Sequence, residues 1–106
     1  MKVAITSSGY GSDSKLDQRF GRCTAFAIYN TEDGHIEMIS NPHKDGREGV
    51  GPAAVKLVAE HGVKKIVSGE FGIKIKSLLD SLGIQMIILK EPDMSIEEVV
   101  DMLKNK

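Results

Sequence analysis

Twice in its second half the chain runs a helical stripe into a glycine and then into a short apolar run. Ala54, Val55 and Val58 fall at helical spacing, Gly62 is placed to stop that helix in a left-handed cap, and Ile66-Val67 follows as a buried strand. Ile75, Leu78, Leu79 and Leu82 repeat the stripe, Gly83 ends it, and Met86 to Leu89 reads as the last strand. Helices alternating with short strands call for parallel pairing, because a parallel strand can only be reached through a long crossover. A third helix closes the pattern. Ser95-Ile96-Glu97-Glu98 is a capping-box signature, and Ile96, Val99, Val100 and Leu103 supply its apolar face.

The first half is different. A short run, Val3 to Ile5, stops at Thr6-Ser7-Ser8-Gly9, and polar sequence continues to Arg22. Ala25 to Tyr29 and Ile36 to Ile39 flank Asp33-Gly34, a dipeptide that predicts a tight hairpin and antiparallel strands. Asn41-Pro42 closes the second of them. A Gly-rich loop from Gly46 to Gly51 then enters the first helix, with Pro52 in its first turn, where a missing N–H costs nothing. The predicted fold class is α/β. It has a mixed five-stranded sheet, an antiparallel three-strand meander plus parallel strands, with three helices in a single domain over residues 1–106.

Composition removes several function classes. With 41% hydrophobic residues and a net charge of −1, the chain is not intrinsically disordered and lacks the basic excess of a nucleic-acid binder. Aromatics make up 5% with no Trp, which leaves no base-stacking platform. One cysteine, Cys23, permits neither an internal disulfide nor a multi-cysteine zinc or iron–sulfur site. No apolar stretch approaches the roughly 18 residues of a membrane span, and the opening Met-Lys-Val-Ala-Ile reads as a strand, not a signal-peptide core. A cytoplasmic protein that does not engage membranes is expected.

The strand order has a geometric consequence. If the first strand ends at the top of the sheet, the antiparallel second strand starts there and the third returns there. Ser7–Gly11, Arg19–Cys23, His43–Gly51 and Gly69–Gly72 should then converge on one edge, the usual ligand edge of open α/β sheets. Glycines would let a ligand approach the backbone, and two helix N-termini would offer donors to an anion. Among the histidines only His43 falls at this edge; His35 lies after the hairpin and His61 at a helix end.

Two readings of Cys23 stand side by side. Arg19 and Arg22 would favour a thiolate able to ligate soft metals, whereas a free cysteine opening a strand can equally be a buried, inert thiol. Lys15, Arg19, Arg22, Lys44 and Arg47 likewise form either an anion-binding surface or a solvated set of loop charges diluted by Asp13, Asp17, Asp45 and Glu48. Gly69-Glu70-Phe71-Gly72 follows a strand but lacks the Gly-Lys-Ser/Thr of a phosphate loop. Nucleophile-elbow and zinc-protease motifs are absent. The strand order is compatible with a ribonuclease H-like sheet, but Lys2 to Thr6 and Lys65 to Ser68 carry no acid to hold a nuclease metal.

Taken together, Phe20-Gly21-Arg22 before a strand, Asn41-Pro42 after the hairpin, Gly49-x-Gly51 entering a helix, Val67-Ser68-Gly69-x-x-Gly72, Leu79 and Leu82-Gly83-Ile84 resemble the dinitrogenase iron–molybdenum cofactor biosynthesis family. The resemblance spans nearly the whole chain. It implies a ribonuclease H-like α/β fold and a non-catalytic carrier for an anionic metal–sulfur cluster, of iron–molybdenum cofactor or iron–sulfur type, transiently bound. On these loops the expected binding residues are Arg19, Phe20, Gly21, Arg22, His43, Gly49, Gly51, Gly69 and Gly72, with Cys23, the best available soft donor, as the expected metal ligand. Family sequences often carry His where this one has Arg19, and Cys23 and His43 are the replacements to consider. Cluster-assembly or acceptor proteins become the expected partners of a monomer or weak homodimer. The competing reading is a small regulatory or interaction domain whose loops bind a phosphorylated metabolite or a partner protein.

Overall fold

The computed structural model describes residues 1–105. In chain order it contains β1 (Lys2–Ser7), β2 (Ala25–Asn30), β3 (Ile36–Ser40), α1 (Val50–Glu60), β4 (Val63–Ser68), α2 (Ile75–Ser81), β5 (Gln85–Ile88) and α3 (Ile96–Lys104). The sheet order is β3-β2-β1-β4-β5. β1 pairs antiparallel with β2 and parallel with β4, β2 pairs antiparallel with β3, and β4 pairs parallel with β5. The mixed α/β sheet expected from sequence is the one observed.

Both faces of the sheet are covered. On one, Ala4, Phe26, Ile28 and Ile66 meet Ala54, Val55 and Val58 of α1 and Ile75 and Leu79 of α2. On the other, Val3, Ile5, Ala27, Tyr29 and Val67 meet Ile96, Val99 and Val100 of α3. Successive residues of β1 thus serve opposite cores, as the two-residue period of a strand requires. Because neither face meets water, the central strands read as continuous apolar runs. Among the described residues no helix is long and apolar enough to cross a membrane.

The helix ends follow the sequence signals. Gly62 and Gly83 adopt φ of +75° and +70° after α1 and α2. At α3 the Glu98 N–H donates to Ser95 Oγ at 3.1 Å, and the Ser95 N–H donates to Glu98 Oε1 at 3.0 Å. The hairpin is looser than predicted. Asn30 and His35 close it through the Asn30 N–H to the His35 carbonyl at 2.9 Å, and only Gly34 takes a positive φ, of 77°. Asn30 and Asp33 instead accept from the Glu32 and His35 N–H groups, both at 2.9 Å, so side-chain bonds shape the wider turn.

The segment between β1 and β2 positions the site. After β1 the chain folds back beside it: the Ser8 N–H donates to the Lys15 carbonyl, and the Asp17 N–H to that of Thr6, both at 2.9 Å. Leu16 enters the α3-side core, whereas Phe20, four residues on, is buried in the α1-side core. Residues 17–19 therefore cross the top of the sheet from one face to the other, with Arg19 exposed on the way. Ser7 to Gly11 does not join the α1 side. The adjoining Ser12 and Ser14 carbonyls accept from the Glu97 and Ile96 N–H groups, tying this stretch to α3.

Candidate functional site

Three segments meet above β1 and β4 on the α1 side: 19–22, 50–51 and 70–73. With Ile75 they line a depression of about 480 Å³. A second, of about 540 Å³, is lined by 47–52, 72–75 and Arg22, so the two share Arg22, Val50, Gly51, Gly72, Ile73 and Ile75. The convergence expected for the Arg19–Cys23 and Gly69–Gly72 loops is observed at their central residues. That of Ser7–Gly11 is not, because this stretch is committed to α3.

Glycines make the close packing of these segments possible. A Cβ on Gly21 would stand 3.1 Å from Gly51 N and 3.2 Å from Val50 Cγ2, and one on Gly51 would stand 2.7 Å from Ile75 Cδ1. The loop, the start of α1 and the start of α2 thus touch in sequence along the floor. Gly49 adopts φ 67° and gives α1 no side-chain cap. The first bond to its backbone is the Ala53 N–H to the Gly49 carbonyl at 3.0 Å, and Pro52 has no N–H. The N–H groups of Val50 and Gly51 consequently lack a partner among the described residues, and the first turn contains no acid. Such a helix end attracts negative charge. α2 is only seven residues long, so the expected pair of anion-facing helix ends reduces to α1.

Phe20 anchors the wall. It is buried, with its ring 5.8 Å from that of Phe26 and 5.3 Å from that of Phe71. Asn41 fixes the loop behind it: its buried Nδ2 donates to the carbonyls of Gly21 at 3.0 Å and Cys23 at 2.9 Å, and its Oδ1 accepts from the His43 N–H at 3.1 Å. Arg22 Nη1 donates to the Lys44 and Gly46 carbonyls at 3.0 and 2.9 Å. Arg19 reaches outward, with Nε 3.4 Å from Asp17 Oδ1.

Several expectations change. Cys23 is fully buried, and its Sγ donates to the Phe20 carbonyl at 3.4 Å. Burial first, and the negative charge of Asp17 second, push its thiol up to about 12. No arginine charge offsets that rise, since Arg22 is turned to loop carbonyls and Arg19 to Asp17. His43 lines a separate depression with Ala53, Lys56, Leu57 and Glu60 on the outer flank of α1. Gly69 is buried behind the wall, where a Cβ would overlap Gln18, and serves the pairing of Arg19 with Glu70. Lys15 is spent on the Asp93 carbonyl at 2.9 Å, beside α3. Among the described residues no group of three His, Cys, Asp or Glu could hold a metal ion.

Two lining residues were missed from sequence, Ile73 and Lys74, of which Ile73 is 98% exposed at the rim. The glycines at 69 and 72 were the available signal for that loop.

The comparisons with known proteins agree with this fold. A family model described as "Dinitrogenase iron-molybdenum cofactor" matches residues 1–106. An uncharacterized protein of Methanocaldococcus jannaschii is 34% identical over 103 residues, covering 94% of this chain and 82% of that protein. The apo form of the orange protein from Desulfovibrio gigas superposes with a TM-score of 0.90 at 24% identity, over 98% of this chain and 87% of that one. A provisional NifB protein from Thermotoga gives a TM-score of 0.83 at 29% identity over the same shares. With the match covering its full length, the chain belongs to the dinitrogenase iron-molybdenum cofactor family.

Proposed function

We propose that this protein is a non-catalytic carrier that holds an anionic metal–sulfur cluster in the depression at the start of α1. The observation that carries the reading is the juxtaposition there of an uncapped helix N-terminus with Arg19 and Arg22. A cluster with negative charge and sulfur acceptors is the cargo such donors suit, and the half-buried apolar side chains of Phe71 and Val50, with the exposed Ile73, suit its sulfide faces. The family supports the same cargo class, iron–molybdenum cofactor-like or iron–sulfur. Cys23 has no part in holding it. Retention by charge and backbone donors makes the cargo exchangeable, as a carrier serving cluster-assembly or acceptor proteins in the cytoplasm requires.

The test is anaerobic purification from the native host with metal and sulfide analysis, followed by titration of the emptied protein with tetrathiomolybdate, a simple molybdenum–sulfur dianion. Co-purifying metal and sulfide and saturable binding that weakens with salt are expected. Metal-free protein that ignores tetrathiomolybdate but binds phosphorylated metabolites would overturn the carrier reading.

A further inference from the structure

We infer that Arg22 is the residue that orients the bound anion, and that the Lys44 and Gly46 carbonyls are the device that holds its guanidinium ready. This rests on the carrier reading and deepens it. Arg22 lines both depressions, so it stands where they join. One nitrogen, Nη1, serves both carbonyls, at 3.0 and 2.9 Å. A guanidinium carries five N–H donors in a rigid plane. The donors on Nε and Nη2 have no partner among the described residues, yet the plane that carries them is already fixed.

The restraint extends to the backbone. The carbonyls of Gly21 and Cys23, on either side of Arg22, both accept from Asn41 Nδ2. Asn41 Oδ1 also accepts from the His43 N–H, and so fixes the start of the loop that supplies the two carbonyls. That loop closes through the Gly46 N–H to the His43 carbonyl at 3.0 Å. A Cβ on Gly46 would lie 2.9 Å from Val50 Cγ1 and 3.2 Å from the His43 carbonyl, so only glycine brings its own carbonyl there without a shift. Asn41 is therefore a positioning residue for both halves of the clamp.

Arg19 provides the contrast. Its side chain is 60% exposed and, among the described residues, held only by Asp17, so it attracts anions without fixing their orientation. A pre-fixed planar fork loses little side-chain freedom on binding and selects anions that present two acceptor atoms side by side. Sulfide or oxo edges of a metal–sulfur species have that shape.

The test is anaerobic titration of the full chain with tetrathiomolybdate, comparing wild type with Arg19→Lys, Arg22→Lys, Arg22→Gln and Asn41→Ala, each checked for folding by circular dichroism. Arg22→Lys keeps the charge but loses the fork, and is expected to weaken binding about tenfold, nearly as much as Arg22→Gln. Arg19→Lys should change it less than about threefold. Asn41→Ala leaves Arg22 in the chain, so it should weaken binding while preserving the wild-type salt dependence, which Arg22→Gln reduces. Hydrogen exchange at residues 44–47 should quicken in both Arg22 variants without any ligand. If wild type binds and Arg22→Lys binds equally well, the clamp is wrong and the carrier reading stands. If Arg22→Lys misfolds, Arg22→Gln and Asn41→Ala decide by the same criteria. If wild type itself does not bind, both fall.

Discussion

The N-termini of α1 and α3 leave the same edge of the sheet, yet the chain treats them in opposite ways. At α3 the donors of Ile96, Glu97 and Glu98 go to the Ser14 carbonyl, the Ser12 carbonyl and Ser95 Oγ, and two glutamates answer the helix dipole. At α1 the cap is a left-handed glycine, the first turn holds no acid, and the Val50 and Gly51 N–H groups have no partner among the described residues. A helix end saturated by its own chain is structural. One left open beside two arginines is equipped to receive an anion. The difference also explains why Ser7–Gly11 is absent from the site, since the stretch that follows it closes α3.

The comparison can be broken most severely at the wall that holds the open end in place. Phe20→Ala removes a buried ring that touches two others, and should cost about 3–5 kcal/mol in urea unfolding. Tetrathiomolybdate binding should be lost with it. Next comes Gly51→Ala, which places a methyl group against Ile75 Cδ1 in the floor. A stability loss of about 1–3 kcal/mol is expected, together with weaker binding. Its counterpart at the closed end, Ser95→Ala, should cost about 1 kcal/mol and leave binding unchanged. Equal loss of binding at both ends would remove the distinction between them.

How much of this could be read beforehand depends on whether a residue's environment is local. Gly62, Gly83 and the Ser95–Glu98 box act within one turn of helix, and each does in the structure what its sequence signals. The meander and the parallel strands followed from element order alone. The fate of Cys23 was not local. It depends on residues 17–19 crossing the top of the sheet, which carries Phe20 inside, and on Asn41 arriving from another strand. His43 sits beside the right loop in sequence but lines a depression on the outer flank of α1, because Asn41 binds its N–H and turns the chain there. Ile73 and Lys74 carry no motif, and their place at the rim follows only from the packing of α2.

The pH responses of the two ends sharpen the contrast further. The Glu98 carboxyl is held below its ordinary 4.5, chiefly by the Ser95 backbone N–H and then by the Ser95 hydroxyl. Its ionised form therefore favours the folded state. That benefit is complete above the ordinary value and fades as pH falls through the lowered one, so the melting advantage of wild type over Glu98→Gln should shrink in acid. Cys23 behaves in the opposite sense. Its thiol binds its proton more tightly when folded, so its contribution is constant below pH 9 and falls as pH rises towards 12. Wild type should lose melting temperature faster than Cys23→Ala above pH 9. Ellman's reagent should label Cys23 only as the protein unfolds.

The most direct measurement is a ¹⁵N–¹H correlation spectrum of the protein titrated anaerobically with tetrathiomolybdate, for wild type and Cys23→Ser. The account predicts amide shifts concentrated at residues 19–22, 49–51 and 70–73, none at 95–98, and the same dissociation constant for both proteins. Shifts at the start of α3 instead, or a folded Cys23→Ser that no longer binds, would contradict it.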